Sequence, residues 1–100
     1  MEIILQESDE EVRISVHGDI DMSDIKAFKE KSFEIGRTSE KDLIIDFKGV
    51  GYIDSSGIGI LLTLNKMQKG KGRAFRLVNC SENIERILEL SSLSGILGKE

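Results

Sequence analysis

One hundred residues with 39% hydrophobic content supply one core and no second, so residues 1–100 are expected to form a single domain. Lys and Arg total 14 against 18 Asp and Glu, a net charge of −4, and no arginine-rich face or interleaved aromatics would draw a phosphate backbone, which argues against nucleic acid as a partner. A single cysteine, Cys80, excludes an internal disulfide framework and a CxxC metal pair. No apolar run approaches the ~20 residues of a membrane span, and the start of the chain lacks a basic n-region and a long h-region, so the expected location is the cytoplasm, away from the membrane.

In chain order, Glu2–Gln6 and Val12–Val16 are β-rich runs separated by Ser8-Asp9-Glu10-Glu11. They predict an opening antiparallel hairpin, with Val12, Ile14 and Val16 on one face and Arg13, Ser15 and His17 on the other. Ser23 is the candidate cap of a first helix whose stripe is Ile25, Phe28, Ser32 and Ile35 and whose end is expected at Gly36. Leu43–Phe47 is nearly continuously apolar, the pattern of a central strand covered on both faces or nearly so. A second helix is predicted from about Ser56 to Lys69, stopped by Gly70, with Lys66, Lys69, Lys71 and Arg73 at its negative end. Ala74–Asn79 reads as a strand, and Ser81 caps a third helix carrying Ile84, Ile87, Leu88 and Ser91 on one stripe. The order ββαβαβα predicts an α/β fold, a mixed sheet with helices packed on it.

The most informative stretch joins the central strand to the second helix through Asp54-Ser55-Ser56-Gly57. Two hydroxyls and a carboxylate stand at a helix N-terminus, where orphan N–H groups and the positive end of the dipole favour an anion. A phosphate can sit there without a cofactor. No catalytic base lies nearby in sequence, so Ser55 reads as a residue that is modified, with the N–H groups of Gly57 and Ile58 expected to face the phosphate. The plainer alternative is that Ser55 or Ser56 merely caps the helix, and both readings stand. Gly57 and Gly59 suit either the close approach of a partner backbone or tight packing of the helix on the sheet, and Ile58 is a candidate apolar anchor.

Other chemistries fail on spacing. Gly49-Val50-Gly51 starts like a dinucleotide fingerprint, but Asp54 stands where the third glycine belongs; a P-loop would need a lysine, and a nucleophile elbow would need glycines two residues before and after the serine. Asp19, Asp21 and Asp54 could converge at one end of the sheet and hold Mg²⁺, yet turn aspartates and helix caps are the simpler account, so no metal site is expected. Cys80 is most simply a small apolar filler after a strand, and the lysine-rich segment a solvated helix end.

These residues resemble a known family. Gly18-Asp19-Ile20-Asp21, Asp46, the block Tyr52-Ile53-Asp54-Ser55-Ser56-Gly57-Ile58-Gly59-Ile60-Leu61 and the late Leu90-Ser91-Ser92-Leu93-Ser94-Gly95-Ile96 are similar to the STAS domain, in particular to small bacterial anti-sigma factor antagonists. The resemblance implies a regulator without enzyme activity, phosphorylated on Ser55 by an anti-sigma factor that is also a serine kinase. The unphosphorylated form binds that factor and frees the sigma factor, and a PP2C-type phosphatase reverses the modification. Asp19, Asp21, Asp54, Ser56, Gly57, Ile58 and Gly59 are the expected partner-binding residues. The alternatives are a STAS scaffold subunit of a stress-signalling or lipid-transport assembly, or a nucleotide-binding protein. One departure from the pattern is that a closing strand after the third helix is expected to be missing or very short.

Overall fold

In the computed structural model, which describes residues 1–91 and 93–96 with Ser94 by its backbone alone, the opening hairpin forms as its alternation predicts. Strand β1 (Glu2–Glu7) pairs antiparallel with β2 (Glu11–His17), and the Ser8 N–H donates to the Glu11 carbonyl at 2.9 Å to close the turn. Val12, Ile14 and Val16 are buried, while Arg13 and Ser15 on the other face stay partly accessible. After helix α1 (Ile25–Thr38), strand β3 (Asp42–Gly49) lies parallel to β2; after α2 (Ser55–Gly70), strand β4 (Phe75–Val78) lies parallel to β3. Helix α3 (Glu82–Leu90) and a short 3₁₀ turn, Ser94–Ile96, follow. The sheet order is β1-β2-β3-β4, so the described residues form a mixed sheet of four strands with three α-helices in the predicted order. The closing-strand expectation concerns residues 97–100, which lie outside the described residues.

The core follows from register. Val12 sits beside Leu43 and Leu43 beside Phe75; Ile14, Ile45 and Leu77 form the next row. These side chains merge with Phe28 of α1, Leu61 and Leu64 of α2 and Ile84 and Leu88 of α3 in one buried cluster. Ile44 and Val78 point to the opposite face and are also buried, which explains the nearly unbroken apolar run of β3. On that face Arg13 Nη2 donates to Asp46 Oδ2 at 3.1 Å. Burial works to raise the Asp46 carboxyl, but hydrogen bonds from the Lys48 N–H, the Asn79 side chain and Arg13 outweigh it and hold the group below the usual carboxylate range.

Helix boundaries depart from the sequence reading in instructive ways. Asp24, not Ser23, occupies the N-cap of α1 and makes no side-chain cap bond; the Ser23 hydroxyl instead donates to Asp21 Oδ1 at 2.6 Å. Gly36 does not end α1. It lies inside the helix, buried, and a Cβ there would come within 2.8 Å of Met67 Cε, so the glycine lets α1 and α2 approach closely. Lys71 serves two helix ends: its backbone N–H donates to the Gln68 and Lys69 carbonyls of α2, while its Nζ donates to the Gly36 and Ser39 carbonyls at 2.8 and 2.5 Å, capping the negative terminus of α1. The buried Gln68 donates to the Lys41 and Ala74 carbonyls at 3.0 and 2.9 Å, tying α2 to the chain entering β3 and β4. Ser81 caps α3 as expected, its Oγ accepting from the Ile84 N–H at 3.2 Å.

Candidate functional site

Parallel pairing of β2 and β3 brings the loops after them to the same end of the sheet, and backbone bonds then stitch those loops together. Ile20 and Ile53 form an isolated parallel bridge; the Ile20 N–H donates to the Tyr52 carbonyl at 2.9 Å and the Asp54 N–H to the Ile20 carbonyl at 3.1 Å. Asp19, Asp21 and Asp54 therefore share one end of the molecule. They do not form a cation site, and no metal-holding cluster occurs among the described residues. The Asp21 carboxylate accepts from Ser23, and the Asp54 carboxylate is engaged on both oxygens.

Asp54 is the N-cap of α2. Its Oδ1 accepts from the Ser56 N–H at 3.0 Å, the Ser56 hydroxyl at 2.5 Å and the Gly57 N–H at 3.2 Å, and its Oδ2 accepts from the Met22 N–H at 3.0 Å. The Ser56 hydroxyl, followed after the opposing effect of desolvation by the backbone bonds from Gly57, Met22 and Ser56, holds the Asp54 carboxyl below the usual carboxylate range. This corrects two expectations. Neither serine is the cap, and the Gly57 and Ile58 N–H groups are not free to face a phosphate, because Gly57 donates to the Asp54 side chain and Ile58 to the Asp54 carbonyl at 3.1 Å. A carboxylate with a short side chain one residue before the helix reaches the Ser56 and Gly57 donors first, and the first turn of the helix itself takes up the Ile58 N–H.

The two hydroxyls consequently differ. Ser55 is exposed in the first position of α2 and its Oγ has no hydrogen-bond partner among the described residues, whereas Ser56 is half-buried and bound to Asp54. Gly57 is buried: a Cβ there would lie 2.6 Å from Ile53 Cγ1 and 2.8 Å from Ile20 Cγ2, so its place is against the bridge between the two loops, and it offers no surface to a partner. Gly59 is exposed with nothing within 4 Å of a Cβ, and Ile58 is half-buried against the core. Ser55, Ile58, Gly59 and Leu62 fall on one side of α2 by helical spacing.

A family model described as "Mlab, STAS domain" matches residues 3–98. The chain belongs to the STAS domain family. This STAS domain is 28% identical over 93 residues to the anti-sigma-B factor antagonist of Bacillus subtilis, covering 93% of the chain and 84% of that relative. Its fold superimposes on the anti-sigma factor antagonist SpoIIAA in its unphosphorylated form with a TM-score of 0.84 at 22% identity, covering 99% of this chain and 88% of that one. The Bacillus cell fate determinant SpoIIAA in the phosphorylated form gives 0.80 at 20% identity, covering 99% and 91%.

The STAS domain also exposes large apolar side chains that the sequence reading did not assign to the site. Met22 follows Asp21 and is 74% exposed, Tyr52 precedes the bridge and is 47% exposed, and Leu62 lies two turns along α2 from Ser55. The available signal was Met22, an isolated methionine among polar turn residues; Leu62 sits in an unbroken apolar run whose exposed member periodicity does not single out. No described helix is long and apolar enough to cross a membrane. Cys80 is half-buried beside the core, and burial, followed by the nearby Glu85 and Asp46 charges, pushes its thiol up to about 11, leaving it protonated at neutral pH and a filler as expected.

The cap yields a prediction. Asp54→Asn is expected to lower the melting temperature at pH 6–7, because the charged form of Asp54 is favoured in the folded state. A depressed folded pKa means that this contribution is fully present above the unfolded value of about 3.8 and is lost as pH falls through the lower folded value, so the gap between wild type and variant should close in strong acid. Circular dichroism melts across pH 2–7 would show it; a gap that stays constant would mean that the carboxylate charge plays no part in the cap.

Proposed function

We propose that this chain, as one STAS domain spanning residues 1–100, is an anti-sigma factor antagonist without catalytic activity of its own, switched by phosphorylation of Ser55. The observation that carries the reading is the division of labour between neighbouring hydroxyls: Ser56 is held by the cap aspartate and Ser55 stands exposed and unbonded beside it. The name of the Bacillus subtilis relative and the existence of a phosphorylated form of SpoIIAA support it. The partner is an anti-sigma factor with serine kinase activity, and a PP2C-type phosphatase restores the binding form in the cytoplasm. Asp19 and Asp21, on the loop bridged to Ile53, and Ile58 and Gly59, on the Ser55 side of α2, face the partner together with Met22, Tyr52 and Leu62, while Asp54, Ser56 and Gly57 act from beneath by fixing the start of α2.

The mechanism rests on charge placement. A phosphate adds about −1.5 to −2 charges. With the Ser56, Gly57 and Ile58 N–H groups already engaged by Asp54, the phosphate stays on the outer surface next to Asp54, at the end of the sheet that carries Asp19 and Asp21. Free in solution it is hydrated and screened; under a docked apolar surface it would be stripped of water next to like charges, so the complex comes apart while the fold stands. Incubation with a purified GHKL-type anti-sigma kinase and MgATP is expected to add one phosphate per chain, mapped by peptide mass spectrometry to Ser55. Modification of Ser56 or Thr63 in its place would overturn the assignment.

A further inference from the structure

Among the described residues strand β1 is an edge paired in the sheet with β2 alone, and its charged side chains stand only at its two ends, Glu2 and Glu7. It contains no Lys and no Pro, and its register with β2 runs unbroken from Glu2 to Glu7. Its adjacent residues Ile4 and Leu5, which point to opposite faces, are each 44% exposed. The other edge, β4, is contacted by the 3₁₀ turn. We propose that β1 pairs antiparallel with β1 of a second copy of this chain, joining the two sheets into one.

The register follows from backbone geometry and charge. Residues directly opposed in an antiparallel ladder either both turn their backbone groups into it or both turn them away, and these orientations alternate along a strand. Two identical strands can therefore pair only about an axis through a residue. Centred on Ile4, the pairing sets Ile4 against its own copy, Ile3 against Leu5 on the helix-bearing face, and Gln6 against Glu2, where the amide donates to the carboxylate. Centred on Leu5, it would oppose Ile3 to Glu7, whose carboxylate is already held by Lys41 Nζ at 2.6 Å. Centred on Ile3, it would set Glu2 against Ile4. Of the three, only the first matches apolar to apolar at Ile3, Ile4 and Leu5 and polar to polar at Glu2 and Gln6, with Glu7 left at the fringe opposite Met1. Its two-fold axis reverses β3, so the two Ser55 sites point in opposite directions and both remain open to partners. A single strand pair makes a small interface, so the dimer is weak and concentration-dependent.

Sedimentation of the full chain between about 10 µM and about 1 mM brackets the affinity of so small an interface. The mass is expected to rise from 11.1 kDa toward twice that value. Ile4→Lys, on an exposed side chain, should weaken association at least about ten-fold with an unchanged melting curve. In a Cys80→Ser background, Ile4→Cys should cross-link rapidly to its own copy, because directly opposed Cβ atoms lie about 4.5–5.5 Å apart, and Leu5→Cys slowly, because its copy lies diagonally beyond reach. A mass constant at 11.1 kDa, equal association of Ile4→Lys and wild type, or equal cross-linking at both positions would each overturn the proposal.

Discussion

Ser55→Asp is expected to bind the anti-sigma kinase at least about ten-fold more weakly than Ser55→Ala, a difference of about 1.4 kcal/mol. Both variants should fold alike, since the Ser55 hydroxyl makes no cap bond and the N-terminus of α2 is held by Asp54. Ala removes only an unbonded hydroxyl, so it should bind like wild type and resist inactivation by ATP. Asp places a charge next to Asp54, at the end of the molecule that carries Asp19 and Asp21 and that the partner covers, which raises the cost of removing water and introduces like-charge repulsion. Part of the defect is expected to disappear at 1 M salt, where the Debye length falls to about 3 Å. Calorimetric titration at low and high salt, with circular dichroism as the folding control, reads both effects. Equal affinity of the two variants would remove Ser55 from the switch.

Gly57→Ala and Gly59→Ala, two residues apart on the same helix, are expected to move stability in opposite directions. At position 59 nothing lies within 4 Å of the new methyl group, so the entropic gain of Ala over Gly in a helix, about 0.5–1 kcal/mol, should appear nearly undiminished. At position 57 the same gain is opposed by contacts of 2.6 and 2.8 Å with Ile53 and Ile20, both almost wholly buried and unable to withdraw without disturbing the bridge between the loops. Overpacking of that kind costs about 1–3 kcal/mol and should leave a net loss. For a domain of this size 1 kcal/mol corresponds to roughly 4–8 °C, so the two midpoints should separate by several degrees on either side of wild type. Urea titration checks the sign of each. A stabilised Gly57→Ala would mean that α2 does not rest on Ile20 and Ile53.

Much of this architecture was legible from local pattern. Alternation at Val12, Ile14 and Val16, the apolar run Leu43–Phe47 and the Ser81 cap are rules acting over a few neighbouring residues, and each element they indicate stands where the pattern puts it. The Asp-Ser-Ser-Gly block was likewise visible as the start of a helix. Which of its members caps that helix was not, because Asp and Ser are comparably good caps and local propensity does not rank them. That choice depends on where Ile53 leaves the sheet to bridge Ile20, a pairing between distant segments that aims the Asp54 carboxylate at both α2 and Met22. The same holds for the glycines: Gly36, Gly57 and Gly59 look alike in the chain, and only the packed neighbours make Gly57 necessary, set Gly36 against the yielding end of Met67 and leave Gly59 open. Lys71 reaching across to α1 and the exposure of Met22, Tyr52 and Leu62 belong to this second class, since periodicity describes one element at a time whereas burial and capping are decided by what a different element brings alongside.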